Sequence, residues 1–234
     1  MARLPCLADP SIRLEPSRVA RPRVTRYHGP IMAESEFELQ LDPPYASMSD
    51  LYRDVERNLV LVLEAYAADG LTPSCQRGCD ACCHQLVMTT VAEADAAAEA
   101  IRAWPSADRA WLDGRLTEWL DTTADLRDRL QAESDGDIEA LVEDLAAEYW
   151  QRRVACPFLH EGACRLYESR PLICRHHFSL SDPALCAEAE GEAIERMETM
   201  EDAFFFAQDA IPADRSEVGM FPELVALALI GDRP

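Results

Sequence analysis

Eight of the nine cysteines in this 234-residue chain fall into two groups, and no other feature limits its fold as tightly. The first group is Cys75-Gln76-Arg77-Gly78-Cys79-Asp80-Ala81-Cys82-Cys83; the second comprises Cys156, Cys164 and Cys174, with Cys186 trailing. Four thiols in so short a stretch are too crowded for ordinary buried side chains, since each must be a core residue, a disulfide partner or a ligand. Thiolate suits zinc and iron–sulfur clusters and does not suit calcium or magnesium. Cys79 and Cys82 alone have the C-x-x-C spacing of a zinc knuckle. Cys75 extends it to C-x-x-x-C-x-x-C, a loop able to wrap three corners of a cubane cluster. All eight, Cys75, Cys79, Cys82, Cys83, Cys156, Cys164, Cys174 and Cys186, are candidate metal ligands, enough for one centre with thiols to spare or for two. Cys82 and Cys83 are expected to diverge from an extended backbone, so that one faces away or serves a second ion. The two groups are expected to share a centre, because neither alone supplies a comfortable tetrahedral set. The 72 residues from 84 to 155 suit a helical hairpin that returns its ends to one place.

Composition narrows the setting. Clustered thiols at ligand spacing favour metal over disulfides in a reducing compartment, and an odd total fits poorly with a fully paired framework, so the expected location is cytoplasmic. No run of 18 apolar residues and no signal-type apolar region occurs, so neither a membrane span nor secretion is expected. The net charge of -21 repels phosphate backbones and argues against nucleic acid, while leaving a basic protein or peptide as an admissible partner. All 22 basic residues are arginine, which excludes Schiff-base chemistry, a P-loop lysine and a lysine general base.

Residues 1–44 read as an extension without a folding pattern. Residues 1–31 carry six arginines against Asp9 and Glu15, together with prolines and no apolar period. A transit peptide has this composition. The simpler reading is that translation begins at Met32, in which case Cys6 stands outside the site. Residues 45–210 form the cysteine-cluster domain and 211–234 a tail with one short helix.

That domain is expected to be mainly helical. Ser49 or Asp50 can cap a helix burying Leu51, Val55, Leu59, Val62, Leu63 and Tyr66, and Gly70 ends it. Thr90 with Glu93 forms a capping box that opens an alanine-rich helix, stopped by Pro105. A long helix from Ala107 buries Leu112, Leu116, Trp119, Leu120, Leu126 and Leu130, and a further one carries Ile138, Leu141, Val142, Leu145 and Tyr149. Cys156 to Tyr167 reads as two very short strands around a glycine turn, a knuckle presenting thiols. Asp182-Pro183 starts a helix running through Ile194, Met197 and Phe204. Phe221-Pro222 opens the last helix, closed by Gly231.

The neighbours of the thiols are read more plainly. His84, His176 and His177 lie beside the expected centre and are assigned as hydrogen-bonding neighbours before ligands. His160 is placed at the surface. Arg170 and Arg175 can pair with acids; the sharper reading has them donate to sulfur or to a substrate carboxylate. The run Phe204-Phe205-Phe206 reads as core or a dimer face.

Together these residues resemble the CxxCxxCC cysteine-cluster family, the YkgJ-like zinc- or iron-chelating domain, over roughly residues 50–190. The first matching motif is Cys75, Gly78, Cys79, Cys82 and Cys83. The second is Cys156-Pro157-Phe158-Leu159, Gly162, Cys164, Tyr167, Arg170-Pro171 and Cys174-Arg175, after which His176-His177-Phe178 departs from the family's usual hydrophobic or aromatic pair. Flagellin lysine N-methylases share the motifs and are associated with an iron–sulfur cluster. Radical SAM enzymes share C-x-x-x-C-x-x-C, but place it after the first strand of a βα barrel with an aromatic before the third cysteine. Here that position is Ala81 and a helix precedes the motif. Three functions are therefore in play: an iron–sulfur (4Fe–4S favoured) or zinc protein in redox or metal handling, a SAM-dependent lysine methylase, and a structural zinc adaptor. Against the methylase, Gly29, Gly70, Gly78 and Gly114 are isolated and form no SAM-binding loop.

Overall fold

Ser47 sets the start of the first helix: its hydroxyl accepts the Asp50 N–H at 3.2 Å, two residues ahead of the expected cap. The computed structural model describes residues 25–26, 38–39, 45–76, 78–132, 138–188, 195–197, 215 and 217–231. Within the extension, β1 (Thr25–Arg26) pairs antiparallel with β2 (Glu38–Leu39). Helix α1 (Met48–Ala68) buries Leu51, Val55, Leu59, Val62 and Tyr66, spaced by three and four along one face. Strand β3 (Met88–Thr90) runs directly into α2 (Val91–Arg102), whose capping box is formed by Thr90 and Glu93 as the sequence predicts.

The long helix expected from Ala107 is instead two. α3 (Ser106–Thr122) ends and α4 (Ala124–Ala132) begins around Thr123, a buried residue whose hydroxyl donates to Trp119 O at 2.8 Å. A threonine that bonds back to the preceding turn competes with the helical ladder, and the chain turns there. α5 (Ile138–Gln151) follows, with Trp119 Nε1 donating to Tyr149 Oη at 2.8 Å to lock α3 onto it.

The knuckle forms as expected. β4 (Leu159–His160) pairs antiparallel with β5 (Ala163–Cys164) through Glu161 and Gly162, which have φ of 50° and 72°. Positive φ at both central residues is the turn whose twist matches a hairpin, and it needs glycine or a tolerant polar residue. α6 (Leu172–His176) and α7 (Pro183–Glu188) follow. The helix expected to run from Asp182 through Ile194, Met197 and Phe204 is described over Pro183–Glu188, Ile194 lies outside the described residues, and residues 195–197 are not helical. Arg196 instead bridges to Ser179, and Met197 is buried against α1. Phe204 to Phe206 lie outside the described residues.

One pairing has no local signal. β6 (Val218–Met220) pairs antiparallel with β3 and runs into α8 (Phe221–Ile230), closed by Gly231 at φ 73°. Two strand–helix units thus lie side by side, and the alanines 94 and 97 let α2 approach α8 closely. Three apolar clusters result: α1 with Leu172 and Met197, α2, α3 and α8 with Phe158 and Leu166, and α3 to α5 with Val154 and Met220. Segments carrying the second cysteine group enter all three. No described helix is long and apolar enough to cross a membrane.

Candidate metal centre

Cys75 and Cys79 sit on the irregular segment after α1, and Cys82 and Cys83 on a 3₁₀ turn, Ala81–His84. Gly78 has φ 92°, a backbone conformation that gives glycine its place there. Cys156 follows α5, Cys164 lies on β5, Cys174 on α6 and Cys186 on α7. All eight are free thiols; Cys82 is exposed and the others are half-buried.

The two groups meet through backbone. Cys156 N–H donates to Cys83 O at 2.7 Å, and a Cβ at Gly162 would lie 3.5 Å from Gly78 O, so the glycine turns of the two motifs touch. Ser74 N–H donates to Ser179 O at 2.8 Å, tying the first motif to the chain between α6 and α7. The hairpin is fixed against α3: Arg165 pairs with Asp108 at 2.9 Å and lies over the rings of Trp104 and Trp111, while Trp111 and His160 meet edge to face at 4.9 Å. His160, expected at the surface, is thereby half-covered.

The thiols sense one another. Burial pushes Cys156 up to about 12 and raises Cys164 and Cys174, and neighbouring cysteine charges add to the effect. Burial also raises Cys75, although the Ser179 N–H, 3.3 Å from its sulfur, opposes this. The adjacency of the Cys82 and Cys83 thiols holds Cys82 below the ordinary thiol range, at about 7, and raises Cys83. The extended backbone expected at Cys82 and Cys83 is corrected: the pair lies on a 3₁₀ turn. Arg170, stacked 3.9 Å from the centroid of Tyr167, favours the thiolate forms of Cys82, Cys164 and Cys174. Among the described residues, no three cysteine, histidine or carboxylate side chains stand in the arrangement of one ion's ligands. The backbones of the two groups meet, and the Cys75 and Cys186 sulfurs bond to Ser179.

Arg175 does something other than bind sulfur. It is buried, pairs with Glu56, donates to Arg170 O at 2.9 Å and to Glu168 O, and lies 4.1 Å from the Tyr52 ring centroid. Its guanidinium thus braces the loop before Cys174 against α1. Burial lowers His176 and His177 to about 4, aided by Arg175 and Arg170 for the first and Arg196 for the second, so both are neutral at pH 7. His84 Nδ1 lies 3.3 Å from Asp80 O.

Two residues escaped the sequence reading. Ser179 touches two cysteines, donating its N–H to Cys75 and accepting from the Cys186 thiol at 3.3 Å. No motif marks it. Glu93 was legible as a cap only; its other oxygen accepts Leu172 N–H at 2.7 Å, holding the start of the helix that carries Cys174.

The fold and these residues define a mainly helical, cysteine-rich chelating domain, whose all-thiol donor set fits zinc or iron. The chain belongs to the CxxCxxCC family, described as "Putative zinc- or iron-chelating domain", which matches residues 74–202, more than half its length. No curated protein and no solved structure matches it.

Proposed function

We propose that this protein holds an iron–sulfur cluster on its clustered cysteines and serves in electron transfer or metal handling. The observation that carries the reading is the meeting of both cysteine groups, marked by the Cys156 to Cys83 backbone bond, with eight free thiols around it. That many thiols exceed the need of one tetrahedral zinc ion, and four suffice for a cubane. When bound, such a cluster supplies one-electron chemistry at a potential tuned by nearby hydrogen bonds and charge. The Ser179 N–H and the Arg170 guanidinium are the groups this chain offers for that tuning. A reducing, cytoplasmic setting accords with free thiols, and the acidic chain, with 43 carboxylates against 22 arginines, suits a basic protein or peptide partner.

The test is visible absorption with iron, zinc and acid-labile sulfide analysis on protein purified without air. The expected result is a broad visible absorption with matched iron and sulfide, bleached by Cys79→Ser or Cys174→Ser and unaffected by Cys6→Ser. Colourless protein with about one zinc per chain and no sulfide would overturn the cluster and leave a structural zinc site.

A further inference from the structure

The chain leaving α5 holds a side chain in a conformation that the thiols do not explain. Arg153 has φ 52°, just past the helix end, where glycine is the usual residue. Its N–H donates to Trp150 O at 3.0 Å, and its guanidinium carbon lies 4.2 Å from the centroid of the Trp150 ring. A side chain in the left-handed region costs backbone energy, and such residues concentrate where ligands are clamped. The guanidinium N–H groups of Arg153 meet no acceptor among the described residues.

Arg153 also lines a cleft of about 290 Å³. Helix α3 contributes Arg115, Glu118 and Trp119 to it, and the chain after α5 contributes Arg152, Arg153 and Val154, two residues before Cys156. Three arginines and one carboxylate therefore line the cleft, the reverse of a chain with 22 arginines and 43 acids. Arg115 pairs with Glu118 at 3.0 Å, and Arg152 pairs with Asp125 at 2.5 Å and with Glu148. The carboxylates of Glu118 and Asp125 are 69% and 57% exposed, so these are weak surface pairs that yield to a better acceptor. The acidity of the rest of the chain is screened beyond about 8 Å at physiological ionic strength, so the arginines decide the local field.

We propose that this cleft binds a small, doubly charged oxyanion, a phosphate or a dicarboxylate, held by Arg153 together with Arg115 and Arg152. The planar guanidinium fork matches either group through paired N–H donors. The volume sits at the lower edge of small-molecule sites, which run to about 300–1,000 Å³, and so selects a ligand of few atoms. The site uses no thiol and stands whether or not the cysteines hold a cluster.

The full chain, purified without air, is titrated with inorganic phosphate and separately with malonate, at an ionic strength held constant with chloride. Calorimetry and tryptophan emission follow binding, since Trp119 lines the cleft and Trp150 lies under Arg153. One saturable site is expected, with Kd on the order of 1 mM or tighter, and the tighter probe tells phosphate from carboxylate. Arg153→Gly relieves the left-handed strain, so its melting temperature should hold or rise while binding weakens by about tenfold or more. Arg57→Gln, which removes an exposed arginine of α1 outside the cleft, should leave binding unchanged. No saturable binding of either probe, an equal loss in Arg57→Gln, or parent-like binding by Arg153→Gly would overturn the proposal. A lowered melting temperature with unchanged binding in Arg153→Gly would show instead that Arg153 serves only to pack on Trp150.

Discussion

Glu93 carries more of this site than its position on the capping box suggests. Its carboxyl group is buried and accepts from Thr89 Oγ1 at 2.6 Å, from Thr90 and from the Leu172 amide. Glu93→Ala strands the Leu172 N–H in the interior and removes the cap, and is expected to cost about 1–3 kcal/mol in urea denaturation. Glu99→Ala, on the exposed flank of the same helix, should stay within about 0.5 kcal/mol. A second prediction concerns protons. Burial raises Cys156, Cys164 and Cys174, so these thiols are protonated at pH 7 and must lose their protons to ligate. Adding Zn2+ to metal-free protein in weak buffer with a pH indicator should therefore acidify the solution. The apparent affinity should fall as pH falls, by about tenfold per pH unit for each proton released. Pre-ionised thiols would give neither effect.

At the scale of elements, the glycine turns supply a paired prediction of opposite signs. Gly162 lies at φ 72°, a conformation that L side chains rarely adopt, so Gly162→Ala should destabilise the fold by about 1–2 kcal/mol and weaken metal uptake. Gly114 lies inside α3 with nothing near its Cβ position, so Gly114→Ala should stabilise by about 1 kcal/mol. Thermal melts of the two variants against the parent chain read both signs at once. Where such local rules decide an element, the sequence foretold it: the capping box at Thr90, the Glu161-Gly162 turn and the Gly231 stop all appear. Where a contact distant in sequence decides, it did not. The β3–β6 pairing joins Thr90 to Val218 and leaves no trace in either segment's own pattern. The break at Thr123 also hides in the text, because the apolar stripe continues across it from Trp119 to Leu126 and the threonine's bond back to Trp119 O has no spacing signature.

For the whole molecule, the cysteine spacing singled out the two motifs, and the packing tells how their backbones meet. Glu56 and Tyr52 of α1 hold Arg175, Glu93 of α2 holds Leu172, and Asp108 of α3 holds Arg165, so three helices from separate stretches each brace one side of the second motif. The first motif is braced from the opposite direction by Ser179. None of these partners could be chosen from the text among 43 carboxylates, since an acid within reach in space carries no mark in sequence. What this arrangement predicts, above all, is a metal bound by sulfur alone. X-ray absorption at the iron and zinc edges of anaerobically purified full chain measures that directly. The account predicts a first shell of about four sulfurs at roughly 2.3 Å. A shell of nitrogen and oxygen at roughly 2.0–2.2 Å, or a protein that carries no edge at all, would contradict it.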